Sequence, residues 1–155
     1  QVRDSLFRSH PWNCLIKRVE LAKDTATPSW GFSYQFTLPA DCLRVITILN
    51  YDYDYKIEGR KVLANHATVK IQYVSRVTDA NEYDELLRET ISASLAADIA
   101  FAVTSSNPTA SNMYKLFQDK LREARFVDAT EGQNTNPDNG QSDVIGASSF
   151  INSRY

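Results

Sequence analysis

The sequence predicts an α+β protein: a helical bundle, incomplete at its N-terminal side, joined to a small antiparallel β domain and followed by an extended C-terminal arm. Three observations predict it. Residues 11–78 alternate apolar and polar side chains with a period of two, the mark of half-buried strands. Residues 79–128 repeat apolar side chains at helical spacing, and residues 129–155 begin with a polar run that has no apolar member from Glu131 to Ser142. The organisation read from these textures is 1–10 with 79–128 as the bundle, 11–78 as the β domain and 129–155 as the arm.

Composition sets the outer limits. A chain of 155 residues with 43% hydrophobic content can bury one core. Its 17 Lys and Arg against 19 Asp and Glu leave a net charge of −2, which excludes a strongly basic nucleic-acid binder. No apolar run approaches the roughly 20 residues of a membrane-spanning helix. Cys14 and Cys42 stand at neither a metal-ligand nor a disulfide-framework spacing and read as a reduced, buried pair.

Taken in order, Val2, Leu6 and His10 with Phe7 give a short helix that looks like the end of a longer one. Pro11 stops it, because the residue before a proline is pushed out of the α region. From Trp12 to Leu21 the spacing of Leu15, Val19 and Leu21 fits either period, and the Trp, Ile and Val content selects a strand. Pro28 and Gly31 mark the loop from Asp24 to Gly31. Phe32, Tyr34 and Phe36 then alternate with Ser33, Gln35 and Thr37, and Pro39 ends that strand. Leu43 to Leu49 is apolar on both parities, as expected of a strand covered on both faces.

An extended run from Tyr51 to Lys56 would place Tyr51, Tyr53 and Tyr55 on one face. Glu58-Gly59 is the expected turn into Lys61–Leu63. Val69, Ile71, Tyr73 and Val77 share the inward parity of the next strand, with Val74 as an exception. The zone reads as an antiparallel meander. Asp79 and Glu82 resemble a capping box at the start of a helix whose Tyr83, Leu87, Ile91, Leu95 and Ile99 follow in steps of four. Asn107 and Pro108 suit the cap and first position of a second, antiparallel helix with Met113, Leu116, Phe117, Leu121 and Ala124 on its apolar face.

No catalytic constellation stands out. His10 and His66 have no local carboxylate or cysteine at ligand spacing, and read as structural or solvated. Asp52 and Asp54 lack the further oxygen ligands and terminal Glu of a calcium loop. No glycine-rich phosphate loop is present, so no catalytic, cofactor-binding or metal-binding residue is assigned and the chain is not expected to be an enzyme. The tyrosine stripe reads either as a sheet face packed on helices or as a contact surface. Small side chains at Ser92, Ser94 and Ala97 would let another backbone approach closely. The tail regains Val144, Ile145, Phe150, Ile151 and Tyr155 after its polar tether, the texture of either a docking arm or a frayed terminus.

An ordered set of segments carries a family resemblance. They are His10-Pro11-Trp12-Asn13, then Trp30-Gly31-Phe32-Ser33-Tyr34-Gln35-Phe36-Thr37-Leu38-Pro39-Ala40-Asp41-Cys42-Leu43-Arg44-Val45, then Tyr55-Lys56-Ile57-Glu58-Gly59-Arg60. Tyr73-Val74-Ser75-Arg76-Val77-Thr78-Asp79 and Lys120-Leu121-Arg122-Glu123-Ala124-Arg125 complete it. Over residues 1 to about 131 the chain resembles the head-to-tail adaptors of tailed phages, the tail tubular protein A type. None of these segments is catalytic.

The resemblance implies a structural virion protein, made in the host cytoplasm and placed in the neck of the tail. Many copies, commonly about twelve, would form a ring between the portal protein and the tail nozzle (a tail tubular protein B-like partner). DNA would pass through its channel without specific binding. In that setting Tyr51, Tyr53 and Tyr55 would face the nozzle. Phe150, Ile151 and Tyr155 would dock on the portal or a neighbour, and Ser92, Ser94 and Ala97 would meet the next subunit. The alternative is a small β-rich binding module for glycans, with Trp12, Trp30 and the tyrosines as stacking platforms.

Overall fold

The computed structural model describes residues 2–49 and 54–131. Its chain order is helix α1 (Val2–Ser9), a 3-10 turn at Asn13–Leu15, strands β1 (Ile16–Leu21), β2 (Tyr34–Thr37), β3 (Cys42–Ile48), β4 (Tyr55–Glu58), β5 (Lys61–Ala64) and β6 (Val69–Ser75). A second 3-10 turn at Ala80–Glu82 leads into α2 (Glu85–Thr104) and α3 (Asn107–Glu131). The architecture is α+β, as expected from the change of period near residue 79. The strand expected from Trp12 onward begins only at Ile16, because the chain first makes its 3-10 turn.

The strands do not form a meander. They make two three-stranded antiparallel sheets, ordered β1-β6-β3 and β2-β5-β4. Only β4 and β5 are both consecutive and paired. Their two-residue loop has Gly59 at φ +59° and pairs Glu58 with Lys61, so the turn is Gly59-Arg60, one residue later than expected. A positive φ at the first loop position matches the right-handed twist of a hairpin and costs glycine nothing. An isolated bridge from Lys23 to Phe36 and the Asp24 N–H donating to Gln35 O at 3.0 Å carry the chain from one sheet to the other.

Strand β6 is why the order is not sequential. It sits in the middle of its sheet; Val69, Ile71 and Tyr73 make one parity apolar, while the other is polar at Lys70 and Gln72 until Val74. Val69, Ile71 and Tyr73 enter a first core with Leu21, Phe36, Leu38, Cys42, Ile48, Val62 and Ala64. Val74 points the other way, into a second core of Leu6, Phe7, Trp12, Leu15, Val77, Tyr83, Leu87 and Ala124. The exception noted at Val74 is therefore the second face of a dividing wall. Val77 lies beyond the strand and belongs to the second core rather than the first. Strand β3 is only partly covered: Ile46 is exposed, and register shifts interrupt its pairing with β6.

The helix caps also move. Asp79 caps the 3-10 turn, accepting from Asn81 N at 2.9 Å, whereas Asp84 caps α2 by accepting from Leu86 N at 2.9 Å and Leu87 N at 3.4 Å. Ser106, not Asn107, caps α3: its Oγ accepts from Thr109 N at 3.4 Å. Between the helices Ser105 closes α2 in the left-handed region, φ 51°, with its N–H on Phe101 O at 2.8 Å.

Candidate functional site

Most of the segments that carry the resemblance form framework. Trp12 is 1% exposed, and its Nε1 donates at 3.2 Å to Leu6 O near the end of α1, a carbonyl that also accepts from Ser9 Oγ at 2.8 Å. Asp128 is buried in the last turns of α3, where the helix dipole disfavours a carboxylate. Local partners offset that: Oδ1 accepts from Asn13 N at 2.9 Å and Oδ2 lies 2.9 Å from His10 Nε2. Asn13 Nδ2 donates to Asp128 O at 2.7 Å. His10, read as structural or solvated, is structural and stacks edge-on against Trp12. Arg60 donates to the carbonyls of Pro39 and Cys42, clamping the β2–β3 loop to the β4–β5 hairpin. Asp41 accepts from Tyr73 OH at 3.2 Å and Lys17 Nζ at 3.3 Å. Burial, with the Asp41 charge adding to it, pushes the Tyr73 hydroxyl up to about 12.

The cysteines lie in different cores. Cys42 is buried in the first and Cys14 is half-buried against the second, and burial raises both thiols. Among the described residues no three His, Cys, Asp or Glu side chains converge as a metal site would require, and no helix is long and apolar enough to cross a membrane.

Two surfaces remain as candidates. The first is the far half of the α2–α3 hairpin. Residues 90–104 of α2 carry a single charge, Asp98, so the helix is apolar nearly all round. Such a helix is ordinarily buried on every side. Here Leu95 is 47% exposed, Ile99 56%, Phe101 53% and Val103 74%. Tyr114 and Leu116 of α3 are exposed as well. The row in steps of four explains the split. At 3.6 residues per turn each step of four overshoots by about 40°. Within α2 Leu87 is buried, whereas Leu95 and Ile99 have rotated off the packed face; Tyr83, buried as well, precedes the helix.

Ser92 heads this outer face and is exposed. Ser94 and Ala97 are half-buried on the side of Thr90, whose Oγ1 lies 3.4 Å from Lys120 O of α3. Their small size is used in the approach of α3 within the chain. Tyr55 is exposed on β4, an edge strand. Tyr51, Tyr53, Phe150, Ile151 and Tyr155 lie outside the described residues, as does the arm from residue 132 onward.

The second surface is a cleft of about 350 Å³ on the outer face of the β2-β5-β4 sheet. Pairing puts Gln35, Leu63 and Lys56 in one row of its floor and Lys61 and Glu58 in the next. The loop from Thr27 to Phe32 forms the wall, with Gly31 at φ +86° turning the chain beside Trp30. Trp30 is 84% exposed, in contrast to Trp12. A stacking role for Trp12 is thereby overturned, since both faces of its ring are packed in the second core. Lys61 Nζ lies 3.1 Å from Asp24 Oδ2 and holds the Asp24 carboxyl below its usual range, while Lys56 Nζ lies 2.7 Å from Glu58 Oε1. Sequence reasoning missed Gln35. Its alternation with Tyr34 and Phe36 makes it read as solvent-facing, and only the loop that walls the cleft covers it.

No family model matches the chain, and no curated protein is significantly similar to it.

Proposed function

We propose that the chain is a structural virion protein, a head-to-tail adaptor that assembles as a ring between a portal and a tail nozzle in the neck of the virion. The observation that carries this reading is the apolar outer face of α2, which a lone subunit leaves in water. A closed ring uses two different patches per subunit, one offered and one received. The face from Ser92 through Leu95 and Ile99 to Val103 supplies one such patch. The net charge of −2 suits a channel through which DNA slides without being gripped. The reading assigns no catalytic residue and no cofactor, and it leaves the His10–Asp128 and Arg60 contacts as the rigid frame that holds the patches in place.

Mass photometry of the full chain, alone and with purified portal of the same phage, tests it. A discrete ring-sized species in either sample is expected. Leu95→Asp with Ile99→Asp should abolish that species while circular dichroism stays unchanged. A chain that stays monomeric with the portal present, or a ring that survives the double substitution, overturns the assignment of this face. Removing residues 134–155 should separately abolish portal binding.

A further inference from the structure

We infer that the cleft beside Trp30 is a binding site for a neutral saccharide. This is independent of the assembly reading and rests on four features of the cleft.

The first is the indole of Trp30. It stands 84% exposed on a loop with Pro28 and Phe32 at its sides. An exposed indole offers a flat apolar platform with a polar edge, which matches the apolar face and hydroxyl rim of a pyranose ring. The second is Gln35 on the floor. It is only 9% exposed, lines the cleft, and its side-chain amide has no hydrogen-bond partner among the described residues. Its nitrogen and oxygen still reach solvent, and because the residue lines the cleft a ligand hydroxyl there can replace that water. An amide both donates and accepts, as a sugar hydroxyl does.

The third feature is charge. Both cations of the floor are already paired, Lys61 with Asp24 and Lys56 with Glu58. Among the described residues no free cation is left there for a phosphate or an acidic sugar, whereas the second oxygen of Glu58 can still accept from a hydroxyl. The fourth is the backbone. The floor is a sheet face whose central strand, β5, pairs on both sides with β2 and β4. That central strand has no free backbone groups to offer a peptide, which would have to add at the outer edge of β4 rather than lie across the floor. The volume of about 350 Å³ lies at the lower end of ligand clefts, so one or two sugar units fit and the rest of an oligosaccharide would run out past the open side.

The test is acrylamide quenching of tryptophan fluorescence in the full chain, with buried Trp12 as the internal reference. Maltohexaose, cellohexaose and chitohexaose are the probes, and a heparin hexasaccharide and an oligothymidylate are the anionic controls. At least one neutral hexasaccharide at millimolar concentration is expected to shift the Trp30 emission to the blue and reduce its quenching, while the controls do neither. Trp30→Ala should remove the response, and Gln35→Met should weaken binding about tenfold by deleting the amide at nearly constant volume. Shielding by none of the three neutral probes overturns the proposal. Equal shielding by the anions overturns it too, as does a Gln35→Met protein that binds as well as the parent. Should Gln35→Met fail to fold, Trp30→Ala carries the test alone, since that side chain stands in solvent.

Discussion

The base and the tip of the α2–α3 hairpin are made from the same two helices and differ in what covers them. At the base, Leu87, Thr90, Ala124 and Asp128 are buried beneath α1, Trp12 and Val74. At the tip, Leu95, Ile99, Phe101 and Val103 meet solvent although their chemistry is the same as at the base. An apolar side chain stabilises a fold only where something removes it from water. The base has that cover within the chain, and the tip leaves it to another surface. The contrast separates residues that hold the subunit together from residues free to serve an interface.

Five substitutions break or sharpen this contrast. Trp12→Ala empties the centre of the base, takes away the indole hydrogen bond to Leu6 O, and should cost about 3–5 kcal/mol in denaturant titrations. An unchanged midpoint would sink the idea that the base is the stabilising core. Tyr73, on the wall between the two cores, titrates at about 12 when folded against 10.0 for the free side chain. Folding therefore holds the proton more tightly. The contribution is full below pH 10 and is lost as pH rises from 10 to about 12, amounting to about 2–3 kcal/mol. Tyr73→Phe should flatten the fall of stability over that window, as read from thermal unfolding at stepped pH.

At the tip, Ser105→Gly removes a side chain from a left-handed backbone and should stabilise the chain by about 1 kcal/mol. A lowered Tm would instead show that Ser105 is held there by contacts worth more than the strain. Smallest of all, Leu95→Ser or Ile99→Ser should move monomer stability by no more than about 0.5 kcal/mol. A loss near that of a buried leucine would mean the tip is packed after all.

Much of the fold was legible in the residues. Proline just after α1's end, glycine at a hairpin turn and polar caps before helices act through local sterics and hydrogen bonds, and the structure obeys them to within a residue at Gly59, Ser106 and Pro11. Asp84 displaced Asp79 as the cap of α2 because a 3-10 turn intervenes, and a spacing rule cannot see that turn. The sheet order was not legible, because the twofold alternation of each strand says which face is apolar but not which neighbour lies beside it. The candidate sites divide the same way. Tyr55, read as either packed or a contact, is on the surface, as is Ser92, whereas the cleft depends on Gln35, whose alternation with Phe36 pointed outward.

By itself the sequence determined which stretches are helix and strand, where most of them stop, and that the chain has apolar surface in excess on α2. These follow from periods, caps and composition, all of which act over a few residues. Only the tertiary structure decided that β6 would stand between two cores, that Trp12 would be sealed while Trp30 stands in water, and that the row from Tyr83 to Ile99 would turn out of the packing halfway along. Those outcomes depend on contacts between residues far apart in the chain, and on the steady drift of a step of four around a helix of 3.6 residues per turn.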